Sequence, residues 1–483
     1  MSETQKKQNV QKTETKQAPP PKLFGTDGIR GIVGEKITPT LMYKLGRALV
    51  NIKKREIDAY YNIVYSPSVL IGTDTRVSKD MLSLSLAAGI TSAGGKAILG
   101  GVLPTPVVAY LSKTMSVDFG AVITASHNPP NYNGVKVFNL DGNKITAEQI
   151  ALIEQLCADD NAQSLHQGGQ LEFKPEQFKE YADYILEMFV DEKVVGSSKA
   201  SATDTPLPLS TLKIGLDCAN GATSPFAKKL FESLGARVSA INTSGDGKKI
   251  NVKCGSTNVT ALAKLVVEQG LDIGFAFDGD GDRIIGVLAD GNLLCGDKIL
   301  YLLATDLKAK GSLSQSTVVG THTSNSGLEN ALHKIGCHFI RTDIGDTHIA
   351  KEMRANGFAL GGENSGHIIL SEHLFCGDGL YTAAYIANML SRSKRKFNAT
   401  LKSLKLLPVI SINIPLKCFK ILDCPQFTQS VENYKKKLGK KCRVLIRKSG
   451  TESMLRIFVE GENYESVSLV ANTIKNLTLN IVH

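Results

Sequence analysis

Tryptophan is absent from this 483-residue chain, and aromatic residues make up only 6% of it. Stacking platforms for single-stranded nucleic acid are built from such rings, so that function class is disfavoured. No apolar run approaches the roughly 20 residues needed to cross a bilayer, which argues against a membrane-spanning chain. The nine cysteines are odd in number and scattered, with no C-x-x-C pair. That pattern speaks against a disulfide framework or a zinc ribbon and for a reducing, cytoplasmic setting. The first 22 residues carry five lysines and almost no apolar side chains. They lack the apolar stretch of a secretory signal. They also cannot bury enough surface to offset ordering entropy, so 1–22 reads as a disordered tail.

The rest of the composition is that of a folded protein, with 42% hydrophobic and 21% charged residues. The length implies about three or four domains. Lys and Arg exceed Asp and Glu by 56 to 46, a net charge of +10. Such a balance suits anionic partners, either nucleic acid or phosphorylated metabolites.

One series of signals occurs three times. Val69–Asp74, Leu212–Asp217 and Val318–His322 each read as a short buried strand, followed by an apolar-periodic helix, a glycine and a second strand. Strand, helix, glycine, strand is the signature of a βαβ crossover. The repeats start more than about 100 residues apart, too far for a solenoid, and read as related α/β domains in tandem. Each then runs through a further apolar strand into a polar loop. These loops are Ala125-Ser126-His127-Asn128-Pro129, Asp278-Gly279-Asp280-Gly281-Asp282-Arg283 and Gly361-Gly362-Glu363-Asn364-Ser365-Gly366-His367. Ligands of open α/β sheets sit beyond the carboxyl ends of strands, so the three loops are expected around one cleft. After residue 400 the pattern changes. Strands near 407–414, 442–447 and 455–459, with a lysine-rich stretch at 435–441, suggest an α+β unit. The expected boundaries are a tail at 1–22, α/β domains at 23–170, 171–296 and 297–400, and a smaller α+β domain at 401–483. The sheets are expected to be mixed and the domains to surround a central cleft.

Asp278, Asp280 and Asp282 stand at alternate positions with glycines between them. Glycine lets the backbone turn tightly enough for three carboxylates to face one point. An all-oxygen ligand set suits a hard cation, Mg²⁺ or Ca²⁺. An EF-hand is excluded because its glycine and glutamate positions hold Arg283 and Ala289. Ser126 is a nucleophile candidate or a turn residue, and G-x-S-x-G is absent. Lys136 is uninformative by itself. Arg447-Lys448-Ser449-Gly450-Thr451 with Arg456 offers forked and hydroxyl donors to a phosphate. Glu363, Asn364 and Ser365 offer an acceptor, an amide and a hydroxyl, a set suited to sugar hydroxyls or an amine.

These loops, in this order and one per domain, resemble the α-D-phosphohexomutase superfamily. The opening Phe24-Gly-Thr-Asp-Gly-Ile-Arg-Gly31 is similar to its phosphoglucosamine mutase branch. So are Asp217–Ala222, Asn251–Asn258 and Arg447–Glu452. The resemblance covers residues 23 to about 480. Ser453 departs from it where proline is usual, and Asn131-Tyr132-Asn133 replaces a more acidic turn.

The resemblance implies interconversion of glucosamine 6-phosphate and glucosamine 1-phosphate, supplying amino-sugar nucleotides and cell-wall precursors. It implies a phosphoserine at Ser126, a 1,6-bisphosphate intermediate, and glucosamine or glucose 1,6-bisphosphate as activator. Mg²⁺ would be held by Asp278, Asp280, Asp282 and the Ser126 phosphoryl oxygen. Arg30, Lys136, Arg283 and His367 would serve the transfer. Glu363, Asn364 and Ser365 would hold the sugar, and Arg447, Ser449, Gly450, Thr451 and Arg456 the phosphate that is not reacting. A lysine base would need a strongly lowered pKa. The expected partner is a small phosphorylated sugar, with no nucleic acid and no membrane, and the oligomeric state is left open, a homodimer included. Rival readings are a phosphomannomutase or phosphoglucomutase of the same superfamily, a basic nucleic-acid-binding protein, and a metal-dependent phosphatase.

Overall fold

Three short, largely buried strands, Ser68–Thr73, Lys213–Asp217 and Thr317–Thr321, lie inside three sheets. The computed structural model describes residues 22–61, 65–159, 168–189, 207–416, 419–438, 442–448 and 453–482. The expected tail, apart from Lys22, lies outside them. In the first sheet, strands β1 (Ile29–Ile32), β2 (Ser68–Thr73), β3 (Lys96–Val102), β4 (Phe119–Ile123), β5 (Tyr132–Asn139) and β6 (Gln170–Phe173) lie in the order β1-β5-β4-β2-β3-β6. Central β2 is buried on both faces, as a parallel strand covered by helices must be. The covering helix Lys79–Ser92 buries Leu82, Leu86 and Ile90, spaced one turn apart.

The second sheet contains β7 (Lys213–Asp217), β8 (Arg237–Ile241), β9 (Ile273–Phe277), β10 (Ile284–Leu288) and β11 (Leu293–Leu294), in the order β11-β10-β9-β7-β8. The third contains β12 (Thr317–Thr321), β13 (His338–Thr342), β14 (Leu360–Gly362) and β15 (Ile368–Leu370), in the order β13-β12-β14-β15. The three share a nucleus. Two strands flank the first in parallel, and an antiparallel strand follows on one side: β3-β2-β4-β5, β8-β7-β9-β10 and β13-β12-β14-β15. Each polar loop is the hairpin between the last parallel strand and its antiparallel neighbour. The βαβ repeat therefore presents the three loops at equivalent places.

One difference concerns the first boundary. β6 pairs in parallel with β3, so the first sheet runs past the expected break at 170. Its residues are mostly exposed, Leu171 and Phe173 included, so no buried apolar run marks it as a strand. The helix Phe178–Phe189 that follows buries Tyr181 against the third unit, where its hydroxyl donates to Asp378 Oδ2 at 2.5 Å.

One apolar cluster runs through the first three units, from Leu70 and Val108 to Leu216, Phe275, Leu303 and Ile386. The C-terminal unit has its own core. There β16 (Val409–Pro415), β17 (Arg443–Lys448) and β18 (Met454–Glu460) form an antiparallel sheet in the order β16-β18-β17. Leu455, Ile457 and Val459 pack on Phe427, Val467 and Ile474 of its two helices. Its junction with the third unit is polar: buried Glu460 accepts from Ser326 N at 3.0 Å and Ser326 Oγ at 2.5 Å. The chain is thus three α/β domains with mixed sheets and a smaller C-terminal domain. Among the described residues no helix is long and apolar enough to cross a membrane, and the eight described cysteines are free thiols.

Candidate active site

Ser126 sits just past β4 in the left-handed region, at φ 53°, and is fully buried. A non-glycine residue there is uncommon, and its surroundings must hold it. The holding group is Arg76, a residue with no evident role in the sequence. Its guanidinium is buried and donates to the carbonyl oxygens of Ser126 (3.0 Å), Asn128 (2.8 Å) and Tyr132 (2.8 Å), and to that of Pro129. Its Nε donates to Asp74 Oδ2 at 2.9 Å. From the second domain, Asn251 Nδ2 donates to Ser126 O at 2.8 Å and Asn128 O at 3.2 Å. The fork-like distribution of five donors is what lets one arginine span a whole loop.

The Ser126 hydroxyl donates to Asp278 Oδ2 at 2.6 Å, bringing the first two loops together. The aspartate loop folds as its glycines predict. Gly281 has φ +72°, and a Cβ on Gly279 would lie 2.5 Å from Ser126 O. Asp278, Asp280 and Asp282 are buried and offer ligand oxygens within 4.8 Å of one another. Lys136, on β5, is buried with Nζ 2.7 Å from Asp280 Oδ2 and 2.5 Å from Asp282 Oδ2. Thr105 Oγ1 adds a donor to Asp280 Oδ2 at 2.5 Å. Even so, Asp280 Oδ1 and Asp282 Oδ1 have no hydrogen-bond partner among the described residues. Two buried orphan carboxylate oxygens beside a third carboxylate are an incomplete electrostatic arrangement, and a hard divalent cation fits it.

Titration behaviour follows from these contacts. Burial, then the neighbouring Asp282 and Asp280 carboxylates, push Asp278 well above the usual carboxylate range. Burial opposes the charge on Lys136, yet Asp27, Asp280 and Asp282 hold its pKa well above the ordinary ammonium value. That is opposite to what a lysine base needs; in this arrangement Lys136 is a counter-cation. Arg283, burial and Arg30 together drive His127 down to about 2, leaving a neutral imidazole in a strongly positive field. Such a field favours an anion.

A cavity of about 600 Å³ opens on this centre. Arg30, His127 and Arg283 line it, as do Glu363, Asn364, Ser365 and His367 of the third loop and Arg447 and Arg456 of the C-terminal sheet. Residues of all four domains thus meet in one cleft, from loops of the first three and from the sheet of the fourth. Arg30 Nη1 donates to Asn128 Oδ1 at 3.3 Å, and Arg30 also pairs with Asp27. His367 lies between Asp282 (3.7 Å) and Asp346 (3.5 Å). Burial and then Arg456 lower the pKa of half-buried Arg447, with Glu363 opposing. Arg447 and Arg456 stand directly opposite each other in the antiparallel β17/β18 pair. Glu363 Oε1 accepts from Gly345 N at 3.2 Å. Asn364 Nδ2 gives one of its two N–H groups to Asp297 Oδ2 at 2.7 Å. The expected phosphate-loop residues Ser449, Gly450 and Thr451 lie outside the described residues.

Four segments match the phosphoglucomutase/phosphomannomutase family: alpha/beta/alpha domain I over residues 21–164, domain II over 179–291, domain III over 295–406, and the C-terminal domain over 410–477. A phosphoglucosamine mutase of Thermoanaerobacter sp. (strain X514) is 39% identical over 459 residues, covering 94% of this chain and 98% of that one. A phosphoglucomutase/phosphomannomutase family protein from Burkholderia thailandensis has a similar fold, with a TM-score of 0.74 at 23% identity over 94% of this chain and 96% of that one. An Aspergillus fumigatus N-acetylphosphoglucosamine mutase, solved with GlcNAc-6P and magnesium, shares the fold with a TM-score of 0.62 at 17% identity over 96% and 97% of the two chains.

Proposed function

This chain belongs to the phosphoglucomutase/phosphomannomutase family and is a phosphohexose mutase, and from that premise we propose that it interconverts glucosamine 6-phosphate and glucosamine 1-phosphate through a phosphoserine at Ser126. The observation that carries the reading is the single cleft lined both by Arg30 and Arg283 beside the Ser126 loop and by Arg447 and Arg456 of the C-terminal sheet. A sugar with a phosphate at each end needs two anion sites in one cavity. The choice of an amino sugar rests on the curated relatives and on Glu363, whose carboxylate is the acceptor an ammonium group requires.

In the proposed reaction the bond from phosphorus to Ser126 Oγ breaks as a bond to the sugar hydroxyl oxygen forms. The hydroxyl proton leaves to the cleft wall, where His367 is the candidate acceptor, while Lys136 stays an ammonium counter-cation to Asp280 and Asp282. Ser126 Oγ takes up a proton in that step and gives it up again when the 1,6-bisphosphate has turned end for end and the other phosphate returns. Phosphoryl transfer depends on in-line placement and charge neutralisation, so the chain's chief contributions are the fixed left-handed loop and its cationic lining. Mg²⁺ held by Asp278, Asp280, Asp282 and the Ser126 phosphoryl oxygen would neutralise charge on the group in transfer. Arg283 holds a phosphoserine oxygen, and Arg447 with Arg456 holds the distal phosphate. A sugar 1,6-bisphosphate serves as activator because it can phosphorylate Ser126.

The test is Ser126→Ala, assayed with glucosamine, glucose and mannose 6-phosphates beside the parent protein, together with peptide mass analysis of position 126. Loss of turnover in a folded variant, and phosphate on Ser126 of the parent, are expected. Near-normal turnover in the variant would remove the covalent mechanism, and a preference for mannose or glucose phosphate would replace the proposed substrate.

A further inference from the structure

Lys144 lies outside the cleft's lining, yet it ties two of the cleft's walls together. It follows β5 on a turn in which Asn139 N donates to Asn143 O at 2.7 Å and Gly142 has φ +72°. Lys144 and Lys136 therefore project from the same stretch of the first domain. Lys144 Nζ is 2.8 Å from Asp27 Oδ1 and 2.5 Å from Asp346 Oδ2 of the third domain. Lys144 is 19% exposed and Asp346 11%, so the pair is poorly screened by water. A second strut lies beside it: Thr347 Oγ1 donates to Thr26 O at 2.8 Å.

What these struts hold is the N-terminal end of the helix Asp346–Asn356, which Gly345 precedes. On its far side Gly345 N donates to Glu363 Oε1 at 3.2 Å. The connection thus runs from Asp27, which pairs with Arg30, through Lys144 and Asp346 to Gly345 and Glu363. At one end is the group beside the Ser126 loop, and at the other the acceptor for the sugar.

We propose that Lys144 is a positioning residue for phosphoryl transfer: through Asp346 it sets the distance between the sugar-holding loop and the Ser126 loop. This rests on the proposed reaction. The bisphosphate must turn while both loops keep their places, and misplacement by about 1 Å can cost roughly 100-fold in rate. The lysine's long stem and single charge join the two domains without reaching the substrate. Nothing local in the sequence singles it out, because Asp346 lies 202 residues away.

The experiment replaces Lys144 by methionine, which keeps the stem and removes the charge. The Lys144→Met variant should lose kcat/KM by about 10- to 100-fold, mostly in kcat, and release more 1,6-bisphosphate per turnover. Phosphate on Ser126 should be retained. Asp346→Asn should behave alike, and the double variant should be no worse than the more impaired single one, since both remove the same link. Wild-type kcat and bisphosphate release in Lys144→Met, or losses that multiply in the double variant, would overturn the proposal. If Lys144→Met does not fold, Thr347→Val tests the same seam. It should lower kcat by roughly 2- to 10-fold, the scale of one neutral hydrogen bond, and an unchanged kcat would count against the seam. Parent protein inactive on every hexose phosphate would instead refute the reaction itself.

Discussion

Arg76 reaches Ser126 through the backbone: its buried guanidinium donates to the serine's carbonyl oxygen at 3.0 Å, on the opposite side of the residue from the hydroxyl that meets Asp278. The loop conformation is therefore imposed by a charge that does not itself face the cleft. Arg76→Met would leave Asp74 buried without its counter-ion. Removing one partner of a buried pair typically costs about 3–5 kcal/mol. Urea unfolding should show a loss of that order. Arg76→Lys keeps the charge but cannot span the same carbonyls, so it should fold and turn over slowly. A Met variant within about 1 kcal/mol of the parent would mean that the loop holds itself.

The aspartate loop predicts dependence on a divalent cation. Chelation should abolish turnover, and Mg²⁺ should restore it. Asp280→Asn removes one ligand charge, and it also weakens the contact with Lys136. A loss of roughly tenfold or more in kcat/KM is expected, the scale of one charge-assisted contact. Calorimetric titration with Mg²⁺ should show weaker binding to the variant. Full activity in chelator, with no metal retained by mass spectrometry, would refute this role.

Arg447 should matter equally in both directions, because the distal site receives the 1-phosphate in one half-reaction and the 6-phosphate in the other. Arg447→Ala should lower catalytic efficiency about 10- to 100-fold each way, from a charge-assisted contact of roughly 1.5–3 kcal/mol. Forward and reverse assays decide. Impairment in one direction alone would remove Arg447 from the shared clamp.

Asp297 makes a prediction about pH. Burial raises its pKa to about 7, although the Asn325 amide and Asn364 Nδ2 pull the other way. Its ordinary value is near 3.9. The folded state thus binds a proton in a range where the unfolded chain does not, so stability from this group is complete below about pH 4 and is lost as pH rises through about 7. Between those two pH values the loss amounts to a few kcal/mol, because a tenfold change in proton activity is worth roughly 1.4 kcal/mol. Asp297→Asn should flatten that slope in denaturant unfolding measured from pH 4 to 8. An unaltered slope would show that Asp297 ionises freely. Because Asp297 orients Asn364, the same variant should raise KM more than it lowers kcat.

Much of this protein is written in local patterns. The run Val69–Thr73 and its two counterparts are apolar enough to form only buried strands, and the glycine-interrupted aspartates can form only a tight acidic turn. Apolar periodicity and glycine placement act within about ten residues, and so the repeated nucleus, the three hairpin loops and the candidate metal ligands were legible there. The short strand β6 was not, because its four residues are mostly exposed and its pairing with β3 depends on a neighbour already in place. Electrostatics also required the assembled fold. A lysine ten positions after Ser126 has an ordinary ammonium until folding sets Asp280 and Asp282 beside it, which decides its charge. Arg76 gained its role when Asp74 and four carbonyls closed around it, and Lys144 when Asp346 arrived from another domain. Residue type and spacing determine which groups a loop can offer. Burial and long-range contact decide which of those groups are charged, which are already paired, and which are left to meet a ligand.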